Sequence, residues 1–169
     1  GATFSAVETL SRETFGSPAT YRTVSYVDGM GRTLQTRSEG EDGKVIVSNA
    51  ATYNLRGLVS DKYLPYFASP PSFDYAPGEA DKPKVLTIYD PLGRAIEVRN
   101  PDGTFSQTLY RPFFQVLYDE EDTSPASSHY NTPSTHRFDG LGRLIQVLER
   151  NGTETYTTSY SYDPLDNLI

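Results

Sequence analysis

The sequence predicts an all-β fold, an antiparallel meander built from a short recurring unit. Three observations carry that prediction: a hexamer of the form Tyr/Phe-Asp-x-x-Gly-Arg recurs along the chain, β-branched and aromatic runs flank it, and Gly and Pro gather at the junctions. Short strands alternating with such junctions are the pattern of sequential hairpins, and a recurring unit of this size marks a repeat array.

The copies are read in chain order. The first is Tyr26-Val-Asp-Gly-Met-Gly-Arg32, with Val27 extra between Tyr26 and Asp28; Gly31 and Arg32 complete it. A weaker copy follows at Tyr53-Asn-Leu-Arg-Gly57. The most regular is Tyr89-Asp90-Pro-Leu-Gly93-Arg94, matched by Phe138-Asp139-Gly-Leu-Gly142-Arg143. The last, Tyr162-Asp163-Pro-Leu-Asp-Asn167, has Asp-Asn where Gly-Arg is expected. The Asp/Asn positions 28, 54, 90, 139 and 163 stand 26, 36, 49 and 24 residues apart. A basic unit of about two dozen residues accounts for these spacings if the 36 carries an insertion and the 49 holds a degenerate copy near Leu109–Pro112.

Around Asp90 the physics of one unit is legible. Val85–Tyr89 is strand chemistry, and Asp90-Pro-Leu-Gly93 reads as a type I turn closed by a left-handed Gly. Arg94–Arg99 resumes as a strand, Asn100-Pro-Asp-Gly103 turns the chain again, and Thr104–Tyr110 returns. Asn151-Gly152 and Asp42-Gly43 are read as the equivalent second turns. Counting by twos places Arg94 with Ile96 and Val98, and Arg143 with Ile145 and Val147, unless a bulge at the Gly resets the phase. Two readings of the repeat Arg stand: an ion pair with the repeat Asp, or a solvated strand end.

Two segments interrupt the meander, predicted as insert loops at 61–84 and 119–135. The first is too rich in Pro for a central strand and is pinned by Tyr63, Tyr66, Phe67, Phe73 and Tyr75; it is read as cover for a sheet, with ligand binding as the alternative. The second begins with Asp119-Glu-Glu-Asp122 and continues Ser/Pro-rich, a solvated loop lacking the alternating ligands of an EF-hand. Residues 1–19 are read as a lead-in and 20–169 as the repeat sheet, with one short helix conceivable near Ala6–Phe15.

Composition bounds the function. Net charge is −7, no Lys/Arg cluster opposes it, and nucleic acid is an unsuitable partner. With no Cys, thiolate metal sites and Cys nucleophiles are excluded. No apolar run is long enough for a membrane-spanning helix. The two histidines, His129 and His136, form no metal motif, and neither a nucleophile elbow nor a phosphate-binding Gly loop occurs. Asn151-Gly-Thr153 matches a glycosylation sequon but suits a hairpin turn better. Repetition of the same Asp at the same turn suits architecture, whereas an active site is singular. Catalytic, cofactor and metal residues are therefore expected to be none; an adhesion module and a glycosidase using turn aspartates are the other classes considered.

The hexamers at Tyr89–Arg94 and Phe138–Arg143, each followed by a β run and an Asn/Asp-Gly turn, resemble the YD repeats of the Rhs family. The stretch Tyr26–Arg37 with Tyr53–Gly57 and Lys62–Phe67 is similar to the Rhs-like region of insecticidal toxin-complex B subunits. The resemblance covers roughly residues 20–169. It implies a spiralling sheet that closes into a hollow, non-catalytic shell around a toxic C-terminal polypeptide. It also implies a secreted bacterial virulence protein whose targeting signal is not in this fragment. The implied partners are the remaining YD repeats and the enclosed polypeptide, with self-association through exposed sheet edges as a further possibility.

Overall fold

The computed structural model describes residues 4–12, 14–16 and 18–169. The chain forms two compact units, Gly1–Leu86 and Thr87–Ile169. Among the described residues the only helical segment is a 3-10 turn at Glu41–Gly43.

In the first unit, β1 (Phe4–Ser11), β2 (Tyr21–Asp28), β3 (Thr33–Glu39) and β4 (Val45–Ser48) pair antiparallel in sequence order. Two strands, β5 (Ala51–Tyr53) and β6 (Val59–Tyr63), form a hairpin, and β7 (Tyr66–Phe67) returns to pair with β4. The start of β8 (Lys84–Tyr89) pairs with β6. The helix conceivable near Ala6–Phe15 is corrected: Phe4–Ser11 is a strand, in register with β2 from Phe4↔Asp28 to Ser11↔Tyr21. A neighbouring strand offers this short segment a full ladder, whereas an isolated helix of that length gains too little to nucleate.

The core of this unit sits on β2, β3 and β4. Val24, Tyr26, Val45 and Val47 are buried there, and Val47 packs with Ala50 and Tyr63. Two buried members are polar, Gln35 at 2% and Arg37 at 4% exposure. Alternation along β3 turns both toward the covered face.

That cover is residues 68–83, the remainder of the Pro-rich insert. Tyr26 Oη donates to Phe73 O, Gln35 Nε2 to Ala76 O at 2.6 Å, and Arg37 Nη1 to Ser72 O at 2.6 Å. Tyr75 packs against Phe4 and Tyr26 at centroid distances of 4.6 and 5.4 Å, and Arg22 lies over Phe73. Most of the aromatic side chains of the insert thus turn inward, while Phe67 remains exposed.

In the second unit, β9 (Ala95–Arg99), β10 (Phe105–Arg111), β11 (Phe114–Tyr118), β12 (Ser134–Phe138), β13 (Leu144–Asn151) and β14 (Glu154–Ser159) follow β8 as an uninterrupted antiparallel meander. Strands β9 to β12 and the first half of β13 are mostly half-buried, β14 is exposed throughout, and no apolar side chain from 87 onward falls in the buried core. The β13–β14 hairpin refines the expected Asn-Gly turn: Asn151 pairs with Glu154, so Gly152 and Thr153 are the loop, with Gly152 first and at φ +58°. The degenerate copy is a tight turn too, with Pro112 and Phe113 between the paired Arg111 and Phe114.

Candidate functional site

Among the described residues the repeated turns are built several times in the same way. At Asp90 the backbone N–H donates to Arg94 O at 2.9 Å, and Gly93 N–H donates back to Asp90 O at 3.0 Å. The same two bonds close the turns at Asp28, Asn54, Asp139 and Asp163. The closing residue takes a left-handed backbone: φ is +77° at Gly31, +78° at Gly57, +86° at Gly93 and +81° at Gly142. Glycine adopts that conformation without the Cβ penalty of other residues.

The Asp side chain adds a second layer. Asp90 Oδ1 accepts the N–H groups of Leu92 and Arg94, both at 2.9 Å. Its Oδ2 accepts Arg94 Nε at 2.7 Å and lies 2.6 Å from Nη2, a two-pronged ion pair. Asp28 holds Arg32 in the same way, and Asp139 holds Arg143 through Nε at 2.7 Å. Where the sequence departs from the hexamer, part of the pattern persists. Asn54 accepts the amides of Arg56 and Leu58, and Asn167 Nδ2 donates to Asp163 Oδ2 in place of a guanidinium.

Each guanidinium also reaches forward. Arg32 lies over the ring of Tyr53 at 4.3 Å, Arg94 over Tyr110 at 4.2 Å and Arg143 over Tyr162 at 4.9 Å. The hydroxyls of Tyr53 and Tyr162 donate to Thr33 O and Leu144 O, the residues just after the Arg, both at 2.8 Å. One copy's Asp therefore aims an Arg that clamps the aromatic residue of a later copy. Tyr53 stands in the weak copy and Tyr110 in the degenerate one, so a search for intact hexamers passes over both acceptors. Their signal is an aromatic residue immediately before a turn.

Of the two readings of the repeat Arg, the geometry supports pairing with Asp. Counting by twos fails across the turn, because β3 and β13 carry an extra residue there. Tyr26 pairs with Gln35 and Val27 with Thr33, passing over Leu34; Arg137 pairs with Gln146 and Phe138 with Leu144, passing over Ile145. The bulge releases the Arg from the phase of the apolar positions that follow.

Electrostatics follow from these bonds. The backbone amide and guanidinium of Arg32 hold the Asp28 carboxyl below the ordinary aspartate range. Burial pushes Asp90 and Asp139 upward, but bonds from Arg94 and Arg143 outweigh it and leave both lowered. The side-chain and backbone amides of Asn167 lower Asp163. A general acid at neutral pH needs the opposite shift, so the turns are suited to cohesion rather than proton transfer. The stability they contribute is complete above the unfolded aspartate pKa of about 3.9 and is lost as pH falls through the lower folded values. The expected melting temperature is accordingly insensitive to these groups near neutrality and falls below about pH 4, as scanning calorimetry across an acid series would show.

Arg94→Met is expected to lower the melting temperature by about 2–5 °C, since it removes an ion pair and a stacked cation at a partly exposed site. An unchanged transition in a thermal melt would show that the clamp adds no stability.

The other sequence candidates are dispersed. In the acidic loop, Asp122 is buried and its carboxylate accepts Asp119 N, Thr132 N and Thr132 Oγ1, each at 3.0 Å. Asp119 Oδ1 accepts Asp122 N at 2.8 Å, so both acids close the loop on itself. His129 lies in that loop and His136 on β12 opposite Val147. Among the described residues no group of three or more His, Cys, Asp or Glu is placed to hold a metal, and no helix is long and apolar enough to cross a membrane.

The antiparallel sheet turned by these motifs is similar in fold to a region of toxin-complex proteins. The chain superposes over 98% of its length on TcdB2-TccC3, with a TM-score of 0.81 and 25% sequence identity. The form of TcdB2-TccC3 without its hypervariable C-terminal region gives a TM-score of 0.82 at 25% identity, again over 98% of this chain. The Photorhabdus luminescens Tc holotoxin pore gives 0.77 at 26% identity over 98%. In these matches the chain covers 10%, 9% and 9% of the other protein, about a tenth of its length. No curated protein matches. Residues 6–120, more than half the chain, match the family described as domain of unknown function DUF6443, and the chain belongs to that family.

Proposed function

We propose that this chain is a structural segment of the β-shell of a secreted toxin-complex protein, non-catalytic in itself, whose parent encloses a C-terminal toxic polypeptide. The observation that carries this reading is the near-complete superposition on TcdB2-TccC3. Two further features support it. The repeat residues Tyr26, Asp28, Gly31 and Arg32, with their counterparts at 89–94 and 138–143 and with Tyr162 and Asp163, serve as structural fasteners. The half-buried to exposed strands of the second unit, none with an apolar side chain in the buried core, suit a sheet that other parts of a larger protein cover. Its partners would be the remaining repeats and the enclosed polypeptide.

The test is protease protection in the parent protein. Negative-stain microscopy of the purified parent is expected to show a hollow particle. The C-terminal polypeptide is expected to resist protease until the particle is opened by denaturant. A solid particle, or a C-terminal polypeptide digested as fast as when expressed alone, would overturn the reading.

A further inference from the structure

We propose that the covered face of β2 and β3 is a binding groove for a proline-bounded peptide that bends at Phe73 and Asp74, and that residues 70–77 occupy it as a ligand carried in cis. The contacts have the form of peptide recognition. Three side chains of the sheet, Tyr26, Gln35 and Arg37, each donate to a main-chain carbonyl of one segment, at Phe73, Ala76 and Ser72 respectively. Recognition of main-chain carbonyls tolerates sequence change in the ligand, while Phe73 under Arg22 and Tyr75 against Phe4 and Tyr26 supply the side-chain anchors.

The donors explain why the groove requires an occupant. Gln35 and Arg37 are almost wholly buried, and the contacts of Arg37 are to Gln35 Oε1 and the Ser72 carbonyl, with no carboxylate within ion-pair distance among the described residues. A cover needed only to hide apolar surface would sit on apolar residues, since leaving a buried guanidinium and carboxamide unpaired is costly. Here three donors, Tyr26, Gln35 and Arg37, stand beside the buried Val24 and Val47, and each is matched to a carbonyl of the segment. Prolines 70, 71 and 77 bound the occupant and restrict its unbound conformations, which favours binding.

The test uses the full chain with protease sites introduced at the exposed positions Ser69 and Ala80. After cleavage, a fluorescein-labelled synthetic peptide of residues 69–80 is titrated and followed by anisotropy, with near-UV circular dichroism monitoring the fold. Saturable exchange into the cleaved chain, and none into the uncleaved chain, is expected. Tyr26→Phe, which keeps the ring and removes one donor, is expected to weaken binding several-fold, and Arg37→Met about tenfold or more. If the cleaved chain loses its near-UV signal, the segment is a fixed part of the core and the proposal fails. It also fails if the cleaved chain stays folded but shows no saturable binding, or if the Tyr26→Phe variant binds as tightly as the parent.

Discussion

Gly78→Val is expected to lower the melting temperature of the chain by about 5–10 °C, the size expected when a well-packed site is overfilled in a protein of this length. A Cβ at Gly78 would stand 2.4 Å from Tyr63 Cε2, 2.5 Å from Cζ and 2.9 Å from the hydroxyl oxygen. The ring cannot give way easily, because Tyr63 is 6% exposed and packed with Val47 and Ala50. The covering segment must lift instead, weakening the bonds that join Ser72 and Ala76 to Arg37 and Gln35. Gly140→Val is the matched control, since nothing lies within 4 Å of the Cβ position there. Thermal melts followed by near-UV circular dichroism check the pair; equal shifts for both would show that the close approach at Gly78 does not constrain the fold.

Local rules of the chain were readable from residues, and rules that join distant residues were not. Asp90-Pro-Leu-Gly93 announces its turn because each residue has a local reason to be there: a side chain that bonds two residues on, a fixed φ, a left-handed closure. The meander of the second unit follows from such turns in series. In the first unit, by contrast, the Pro-rich insert reads as sheet cover, yet nothing local tells that Gln35 and Arg37 are its anchors. Their alternation with Thr36 reads equally well as a solvent-facing edge, and a carbonyl supplied from 35 or more residues away reverses it. The Arg was ambiguous for a related reason. Its Asp is four residues back and visible, but the bulge that sets its direction appears only once the partner strand is in place. Similarly, Phe4–Ser11 shows no strict alternation and none of its residues is buried, although Phe4 packs on Tyr26 and Tyr75, so its strand character comes from pairing with β2 rather than from burial.

The closing Gly of the repeat carries two demands, and Gly57 separates them. Its φ of +78° penalises any L-residue, and a Cβ there would stand 2.8 Å from Arg32 Nη1, the guanidinium that also lies over Tyr53. Gly57→Ala is therefore expected to lower the melting temperature by about 3–8 °C, combining left-handed strain with displacement of the clamp. The last copy shows how the same position accepts a side chain. Asp166 occupies it with φ +66°, and its Oδ1 accepts Arg143 Nη1 at 2.6 Å. A carboxylate thus turns the guanidinium of the preceding clamp from an obstacle into a partner, and Asp tolerates the left-handed region better than most residues. Gly57→Asp is accordingly expected to cost less than Gly57→Ala, although Asp is the larger residue, and the advantage should shrink when Arg32→Met is combined with each. Sterics alone would give the reverse order. Melting temperatures of the two single variants and the two double variants decide between these outcomes, and Gly57→Asp melting below Gly57→Ala would overturn the forward-reaching clamp as the reason for glycine at this position.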